Sequence, residues 1–467
     1  MKLSKIYILV FVLGMFSCQD PDEFLDVIPT GTTIPSTLED FNNLLNTPDY
    51  FFNRSRNIAL MDPDVFMNDL SFSTISNDLI DVNAYTWQSD LTEEDQSDND
   101  YISIYKFIHL SNFILSEIDD ADLGSFNEAD RSNIKGEAYA QRAMELFLGV
   151  TEYAPAYDPN NRDIPGIPIP LNLDLRAAYG KSSLGQVYDQ ILSDLNNALE
   201  LFTDSYPDIN VVGNWRPGRA SVYGLLAEVH LHMGNFEEAK LNSDKALELY
   251  DFLHDWTTFE LADTSNIYAG YTNDDYQYRD GNTEAIWNRF NREDYAFSSY
   301  QLYHPDFAQL FDQANDRRWY LRATQESPGG EDLSPYYVFF FPRTQIGLTV
   351  PRLLLTNAEA KIRTNDGPGA MAALNTLLEN RISNFTPFVH TDNATTLTII
   401  KNERRKELHG SGLNLYDLKR YHVYGDNIPT FTRTNPLTGE TFTLEPGSEH
   451  YYVKIPRAVR SINPNLN

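Results

Sequence analysis

The sequence predicts a mainly α-helical protein in which helix pairs form a scaffold and irregular, loop-rich insertions with short strands are added to it. Three observations support this prediction. Apolar residues recur three and four positions apart across a scaffold of about 36–250 and 352–421, which is the helical period. Two segments, about 53–100 and 251–350, lack that period and are rich in Asp and Asn. Short stretches within the second segment are typical of strands.

The helices of the scaffold are expected to follow one another at short intervals. Short polar residues precede three of them as N-caps: Ser36, with Glu39 in the capping-box position, Asn127 and Ser183. Five prolines in 155–173 interrupt the helical pattern. The expected helices cover about 36–47, 101–119, 128–152, 183–202, a pair within 217–250, 352–363, 369–382, 394–409 and 411–421. The remaining C-terminal part is polar, Pro-rich and expected to be extended.

Residues Arg219–Tyr250 contain the clearest helix pair of the chain. Apolar residues on both sides of a tight turn recur at helical spacing. Gly234 suits the left-handed residue that ends the first helix. Small residues such as Ala227 and Ala239 stand where the two helices would approach each other. The pattern resembles a tetratricopeptide repeat, and because one such unit cannot bury its apolar face alone, neighbouring pairs are expected to stack on it.

The first 17 residues have the pattern of a secretory signal peptide. Two lysines precede an apolar run from Ile6 to Phe16, and Ser17 is the small residue before the expected cleavage site. The run is too short for a transmembrane helix. Cys18 follows at once, and the stretch around it resembles a bacterial lipobox. We therefore predict that residues 1–17 are removed, that Cys18 is lipidated, and that 18–467 form a single domain.

The composition limits the classes of function. The chain has 467 residues and a formal net charge of −31 at pH 7, which argues against nucleic-acid binding because that needs a basic footprint. Hydrophobic residues make up 42% and charged residues 22%, as in soluble globular proteins. Cys18 is the single cysteine, so no disulfide can form within the chain. Aromatic residues reach 13%, and the surplus of Tyr permits an exposed aromatic binding face.

Several stretches, spread over nearly the whole chain, together form a recognisable pattern. They are FLDVIPTG (24–31), KGEAYAQRAMELFLGVTEY (135–153) followed by IPGIPIPL (164–171), the helix pair (218–249), RLLLTNAEAK (352–361), NERRKELHGSGLNLYDLKRY (402–421) and IPRAVRSINPNL (455–466). Their order and coverage resemble the SusD/RagB family of outer-membrane nutrient-binding lipoproteins. Ser411 and Asn414 depart from the pattern, because they stand where the family often has an aromatic residue and an arginine.

The resemblance implies a role, a partner and a location. The protein is expected to bind a glycan, most simply an oligosaccharide, and to deliver it to a SusC-like TonB-dependent outer-membrane transporter, which it would cover as a lid. It is expected at the outer membrane on the cell surface, anchored through the lipid on Cys18. In the family, the glycan platform is a shallow aromatic arc formed by inserted loops.

The signature near the C-terminus is rich in charged residues at helical spacing. Residues three and four apart on a helix can form ion pairs. We predict a buried or partly buried charge network that holds the C-terminal helix to the scaffold. Its members are Glu403, Arg404, Arg405, Glu407, Asp417, Lys419 and Arg420.

Candidate ligand-binding residues are aromatic side chains in irregular, polar surroundings, with amide or charged neighbours. An aromatic ring can stack on the apolar face of a sugar while polar groups bond its hydroxyls. The candidates are Tyr85, Trp87, Tyr276, Tyr278, Asn288, Arg289 and Tyr295. Trp287 is interpreted as possible sheet core, and Trp215, Trp256 and Trp319 as structural.

No catalytic pattern is convincing, so no catalytic residue, metal ligand or cofactor is predicted. HExxH, GxSxG, P-loop and metal-type cysteine spacings are missing from the sequence. Asp274, Asp275 and Asp280 could ligate calcium, but a solvated loop explains them better. Three alternatives stay open: the same role with peptide or other non-glycan cargo, a glycoside hydrolase that uses a carboxylate pair, and a pure repeat scaffold.

Overall fold

The structure is a computed structural model that describes residues 35–47, 50, 56–210, 214–272, 282–290, 301–339 and 345–467. Its helices are α1 (Leu38–Leu45), α2 (Arg56–Met61), α3 (Asp69–Ser73), α4 (Leu79–Tyr85), α5 (Asn99–Glu117), α6 (Glu128–Tyr153), α7 (Leu184–Leu201), α8 (Arg219–His232), α9 (Phe236–Leu249), α10 (Pro305–Ala308), α11 (Arg317–Arg322), α12 (Val350–Arg363), α13 (Gly367–Leu378), α14 (Asn393–Leu408), α15 (Leu413–Val423) and α16 (Arg457–Ile462). Its strands are β1 (Val65–Phe66), β2 (Ala285–Trp287), β3 (Leu302–Tyr303), β4 (Ala323–Thr324), β5 (Tyr337–Phe339), β6 (Leu348–Thr349), β7 (Phe431–Thr434) and β8 (Thr441–Leu444).

The long helices stack in chain order, which confirms the predicted mainly α-helical class. Helix α5 packs on α6 and α6 on α7; α8 packs on α9, α9 on α12, and α12 on both α13 and α14. At the turn between α8 and α9, Gly234 has φ of 75°, the left-handed conformation that glycine adopts readily. Ala227 and Ala239 are fully buried. Across the described ranges, no helix is long and apolar enough to span a bilayer.

Two of the three predicted N-caps are confirmed, and one is displaced by a residue. Asn127 and Ser183 cap α6 and α7 as predicted. Helix α1 is capped by Thr37 and not by Ser36. The Thr37 hydroxyl accepts from the Asp40 backbone N–H at 3.2 Å, and the Asp40 carboxylate accepts from the Thr37 N–H at 3.0 Å. Thr37 caps α1 in place of Ser36 because it forms this reciprocal capping box with Asp40.

The two loop-rich segments meet in one small sheet. Strand β1, from the first segment, pairs antiparallel with β3 from the second, with Val65 opposite Tyr303. The sheet continues in the order β1-β3-β5-β4. Strand β2 pairs with β6 outside this sheet. The C-terminal region, predicted as extended, contains the β7–β8 hairpin, in which Phe431 stands opposite Leu444.

A buried charge network joins the C-terminal helices to the scaffold, as predicted. The guanidinium of Arg404 on α14 binds Asp417 on α15 at 2.6 Å and Glu228 on α8 at 3.4 Å. Arg352 on α12 binds the same Glu228 at 2.8 Å. Burial alone would raise the pKa of Glu228, but Arg352 and Arg404 outweigh burial and hold that pKa well below its ordinary value. We call this the central charge network; it comprises Glu228, Arg352, Glu359, Arg363, Arg404, Asp417 and Arg420.

A second set of ion pairs fastens the 251–350 region to α14. Arg318 on α11 binds Glu403 at 2.8 Å and Glu407 at 3.0 Å. Arg381, just after α13, binds Glu407 at 3.0 Å and Glu284 at 2.8 Å. The five side chains are at most 6% exposed. The side of α11 that carries Arg318 is therefore fixed to α14, and the opposite side of the helix faces outwards.

Asn414 bridges two buried carboxylates near the end of α2. Its amide nitrogen donates to Asp62 and to Asp64, each at 3.0 Å. Burial and the neighbouring Asp64 raise the pKa of Asp62 to about 7. Asn414 thus gives this pair a neutral amide, and Arg405 forms an ion pair with Asp64.

Asp62→Asn is expected to flatten the pH dependence of stability between about pH 4 and pH 7. In the wild type, folded Asp62 keeps its proton up to about pH 7, whereas an unfolded aspartate releases it near pH 4. The folded state binds more protons in this window, so the free energy of unfolding falls as pH rises, by up to about 1.4 kcal/mol per pH unit. Denaturant unfolding at pH 4, 5.5, 7 and 8 measures the slope. An unchanged slope in the variant would contradict the assignment.

Candidate functional site

Tyr85 and Trp87 lie in the core, which corrects their prediction as ligand-binding residues. Tyr85 is 0% and Trp87 1% exposed. The indole nitrogen of Trp87 donates to the Met61 carbonyl at 2.7 Å, and the Tyr85 hydroxyl accepts from the Met67 N–H at 3.1 Å. Arg433 packs over both rings, at 4.6 Å from the Tyr85 centroid and 4.4 Å from that of Trp87. With both faces covered, these rings cannot stack on a sugar.

Asn288 and Arg289 are also buried, at 0% exposure, which corrects their prediction as hydroxyl-binding residues. Arg289 donates to the carbonyl of Trp215 at 3.2 Å and to the side chain of Gln141. Asn288 bonds the side chain of Asn214. These polar groups therefore join strand β2 and its continuation to α6 and to the loop before α8. Trp287, interpreted as possible sheet core, is fully buried in β2.

The other predicted residues lie outside the described residues. They are Tyr276, Tyr278 and Tyr295 among the ligand candidates, together with Cys18 and the signal segment 1–17. Their assignments stay predictions.

A polar cleft of about 400 Å³ lies in the 251–350 region. Residues 261–267 form one wall, and residues 313–324, which include α11, form the other. We call it the insertion cleft. Its aromatic lining consists of Trp319 and Tyr320. Five neutral hydroxyl or amide side chains line it as well, beside four apolar and two charged residues. The five are Thr264, Ser265, Gln313, Asn315 and Thr324.

Both aromatic side chains of the cleft are held by packing and stay partly accessible. Trp319 is half-buried and packs on Tyr337 with ring centroids 4.6 Å apart. Tyr320 is 37% exposed, and the guanidinium of Arg317 lies 4.2 Å from its ring centroid. The Tyr320 hydroxyl donates to Glu260 at 2.9 Å. These contacts restrict the rotamers of both rings, so less side-chain freedom is lost when a ligand binds.

The sequence of α11 explains why these two rings face the cleft. Asp316 caps the helix by accepting from the Arg318 N–H at 3.0 Å. Arg318, Leu321 and Arg322 are buried, at positions three and four apart. Trp319 and Tyr320 therefore occupy the opposite side of the helix. Trp319 was predicted as structural because it stands beside a charge cluster; the helical spacing of Arg318 and Arg322 within that cluster is the signal that marks the buried side.

The charged groups at the cleft are paired within the protein. Glu260 binds Arg317 at 3.0 Å, and Asp316 binds Arg318 at 2.8 Å. Among the described residues, no group of three or more His, Cys, Asp or Glu is placed to hold a metal ion. The arrangement offers aromatic faces and neutral hydrogen-bonding groups, which suits non-covalent recognition of a polyhydroxylated molecule.

Comparisons with known proteins agree with this fold. A family model described as starch-binding and associating with outer membrane matches residues 23–231, and a model described as SusD family matches residues 352–467. A search of the curated proteins gives no match.

Solved structures resemble the chain over nearly its whole length. A SusD-like carbohydrate binding protein from Bacteroides vulgatus is 22% identical with a TM-score of 0.65, covering 92% of this chain and 97% of its own. A SusD superfamily protein from Bacteroides thetaiotaomicron is 17% identical with a TM-score of 0.68, covering 92% and 99%. Surface glycan-binding protein A from Bacteroides uniformis is 14% identical with a TM-score of 0.67, covering 92% and 97%. At these identities the likeness establishes the fold alone.

Proposed function

The chain belongs to the SusD/RagB family, and from this premise we propose that it binds a glycan at the cell surface and delivers it to a SusC-like TonB-dependent transporter. The observation that carries the glycan part is the insertion cleft, where Trp319 and Tyr320 stand among neutral hydroxyl and amide groups. Binding involves no covalent change, and no cofactor takes part.

The chemistry of the cleft favours a sugar over other small molecules. A sugar ring has an apolar C–H face that can stack on Trp319, and hydroxyls that can exchange hydrogen bonds with Asn315 and Gln313. The volume of about 400 Å³ lies at the lower end of the range for ligand pockets, so the cleft suits the end or a short stretch of an oligosaccharide.

The comparisons support the cargo and the location. Two structural relatives carry carbohydrate or glycan binding in their descriptions, and one family model is described as associating with outer membrane. We propose that the lipid on Cys18 anchors the protein there and that the transporter receives the glycan. The same role with peptide cargo is the alternative that the binding test distinguishes.

Trp319→Ala is expected to weaken binding to the cognate glycan by roughly tenfold or more, because a stacking face is lost. Tyr320→Ala is expected to weaken it to a smaller extent. The measurement is affinity gel electrophoresis of the soluble form that starts at Gln19, against a panel of polysaccharides, followed by calorimetry with oligosaccharides of the class that shifts.

Phe388→Ala is the matched control, since Phe388 is an aromatic residue with the same 37% exposure as Tyr320 and lies outside the cleft. It should bind like the wild type. Thermal melts of all variants separate loss of binding from loss of folding. If no polysaccharide shifts and a peptide library binds instead, the cargo is peptide. If the glycan is cut on incubation, the protein is a hydrolase.

A further inference from the structure

An apolar groove of about 470 Å³ lies between the start of α5, the loop 175–178 and α16. It shares no lining residue with the insertion cleft. We call it the anchor groove. Of the large apolar side chains in the described part of the chain, Ile462 and Leu175 are the most exposed, at 85% and 83%, and both line this groove. Ile102, 50% exposed, lines it as well. Exposed apolar residues that share one surface mark an interaction site, whereas isolated ones are ordinary.

Basic residues lie at and beside the anchor groove, although the protein as a whole is strongly acidic: Arg176 lines the groove, and Arg457 neighbours Pro456 and Ala458 of its lining. Lys181, Lys454 and Arg460 line one neighbouring cavity, where burial and the two other cations lower the pKa of Lys181. Two acidic residues pair with basic residues of this region: Asp90 with Arg457 and Arg460, and Glu449 with Lys454. We call Arg176, which lines the groove, together with the adjacent Lys181, Lys454, Arg457 and Arg460 the basic rim. It favours an occupant that is both apolar and acidic.

Such a segment exists in this chain, before the first described residue. Residues 19–28 read QDPDEFLDVI. They contain four acidic residues and, at their end, an apolar group made of Phe24, Leu25, Val27 and Ile28. The segment therefore matches both the apolar floor of the groove and its basic rim.

The chain length between this segment and the scaffold is sufficient. Thr37 pairs with Asp122 just beyond the end of α5, whereas the anchor groove lies at the start of α5. The helical rise from Ile102 to Ile118 corresponds to about 24 Å. The seven peptide units from Ile28 to Pro35 also span about 24 Å when extended. Residues 24–28 can therefore reach the groove if the connection runs along α5.

We propose that Phe24–Ile28 docks into the anchor groove, with Asp26 against the basic rim. The docking depends only on this chain and not on the glycan. If Cys18 carries the lipid, the five residues 19–23 are then the whole free tether, about 20 Å at full extension. The anchor groove would consequently be held towards the membrane, which fixes how the protein stands on the surface.

Cross-linking between the segment and the groove tests the docking. Cys18 is the single cysteine, so the soluble form that starts at Gln19 carries none. The test protein carries Val27→Cys with Ala178→Cys, which lies in the groove. The comparison protein carries Val27→Cys with Ala129→Cys, an exposed site at the start of α6, close to α1. An undocked segment would reach Ala129 at least as easily. With a short bismaleimide, we expect an intramolecular yield at least about tenfold higher for the first pair.

Groove variants make the test specific. Leu175→Asp with Ile462→Asp, added to the 27–178 pair, should reduce the cross-link by about tenfold or more, because both apolar contacts and the charge complementarity are lost. Leu437→Asp, an apolar position 58% exposed in the turn of the β7–β8 hairpin, should leave the yield unchanged. All of these side chains are exposed, so the variants should keep the wild-type melting temperature.

Three results would overturn the docking. Equal yields for the 178 and 129 pairs mean that the segment is not docked. Intermolecular products that dominate at low protein concentration mean that a second copy occupies the groove. Absence of the 27–178 product, together with loss of transporter co-purification in the Leu175→Asp, Ile462→Asp variant, means that the transporter covers it.

Discussion

Arg420→Ala is expected to lower the free energy of unfolding by about 3–5 kcal/mol, because it removes the cation from a buried ion-pair network. Arg420 is 1% exposed and binds both carboxylate oxygens of Glu359 at 2.6 Å. It also binds Asp417 at 2.8 Å. Without Arg420, two buried carboxylates share fewer cations: Arg363 stays on Glu359 and Arg404 on Asp417.

The pH dependence of the same variant provides an internal check. Burial alone would raise the pKa of Glu359, but Arg420 and Arg363 outweigh burial and hold that pKa well below its ordinary value. This stability is present above the unfolded pKa of about 4.3 and is lost as pH falls through the folded pKa. The wild type and Arg420→Ala should therefore differ most near pH 7 and converge as the pH drops below about 4.

Urea unfolding of the soluble form measures the effect, and Arg162→Ala is its matched control. Arg162 binds Asp189 at 2.6 Å, but both side chains are largely exposed, so its removal should leave the unfolding midpoint unchanged. Arg420→Lys retains the charge without the two-pronged contact and should fall between the wild type and Arg420→Ala. Equal midpoints for Arg420→Ala and Arg162→Ala would contradict a stabilising role of the network.

The central charge network shows how far sequence reasoning extends. The spacing of Arg404 with its neighbours, and of Asp417 with Arg420, predicts charges that can pair on adjacent helices. The partners from the scaffold, Glu228 and Glu359, precede Arg404 by 176 and Arg420 by 61 positions. No local period contains such separations, so the network could be predicted but its members from α8 and α12 could not.

The helices were predictable for a similar reason, since their signals are local. Asn127 and Ser183 each precede an apolar period and cap the helix that follows. At α1 two adjacent hydroxyl residues could both cap, and the position of Asp40 decides for Thr37. Helix existence follows from period and caps, whereas the choice between neighbouring caps depends on side-chain geometry.

The candidate site was the least predictable part, because exposure depends on distant segments. Polar neighbours around Trp87 suggested a surface position, yet Arg433 approaches from the C-terminal hairpin and covers its ring. Arginines around Trp319 suggested a structural position; two of them, Arg318 and Arg322, lie on the buried side of α11, whereas Arg317 lines the cleft. For Trp87 the local composition was read correctly and its exposure was not. The structural interpretation of Trp319 holds in part, because its ring packs against Phe311 and Phe339 while the rest of it lines the cleft. Only the tertiary contacts decide how far each ring is exposed.

Trp87→Ala is expected to lower the free energy of unfolding by about 3–5 kcal/mol and to leave glycan affinity of the folded protein unchanged. The ring is buried, its indole nitrogen donates to the Met61 carbonyl, and the guanidinium of Arg433 covers it. Trp87 also has φ of 54°, a left-handed conformation that costs a bulky residue roughly 1–3 kcal/mol. The contacts of the ring must outweigh this strain.

Trp87→Phe separates the hydrogen bond from the volume. It retains an aromatic face for Arg433 but leaves the Met61 carbonyl without its donor, which should cost about 1–3 kcal/mol. Denaturant unfolding and glycan calorimetry on Trp87→Ala, Trp87→Phe and Trp319→Ala give two readouts for each variant. The two tryptophans should behave in opposite ways: Trp87 governs stability and Trp319 governs affinity. A Trp87→Ala protein that unfolds like the wild type but no longer binds glycan would return Trp87 to the binding surface, because only a ring in contact with ligand could produce that pair of results.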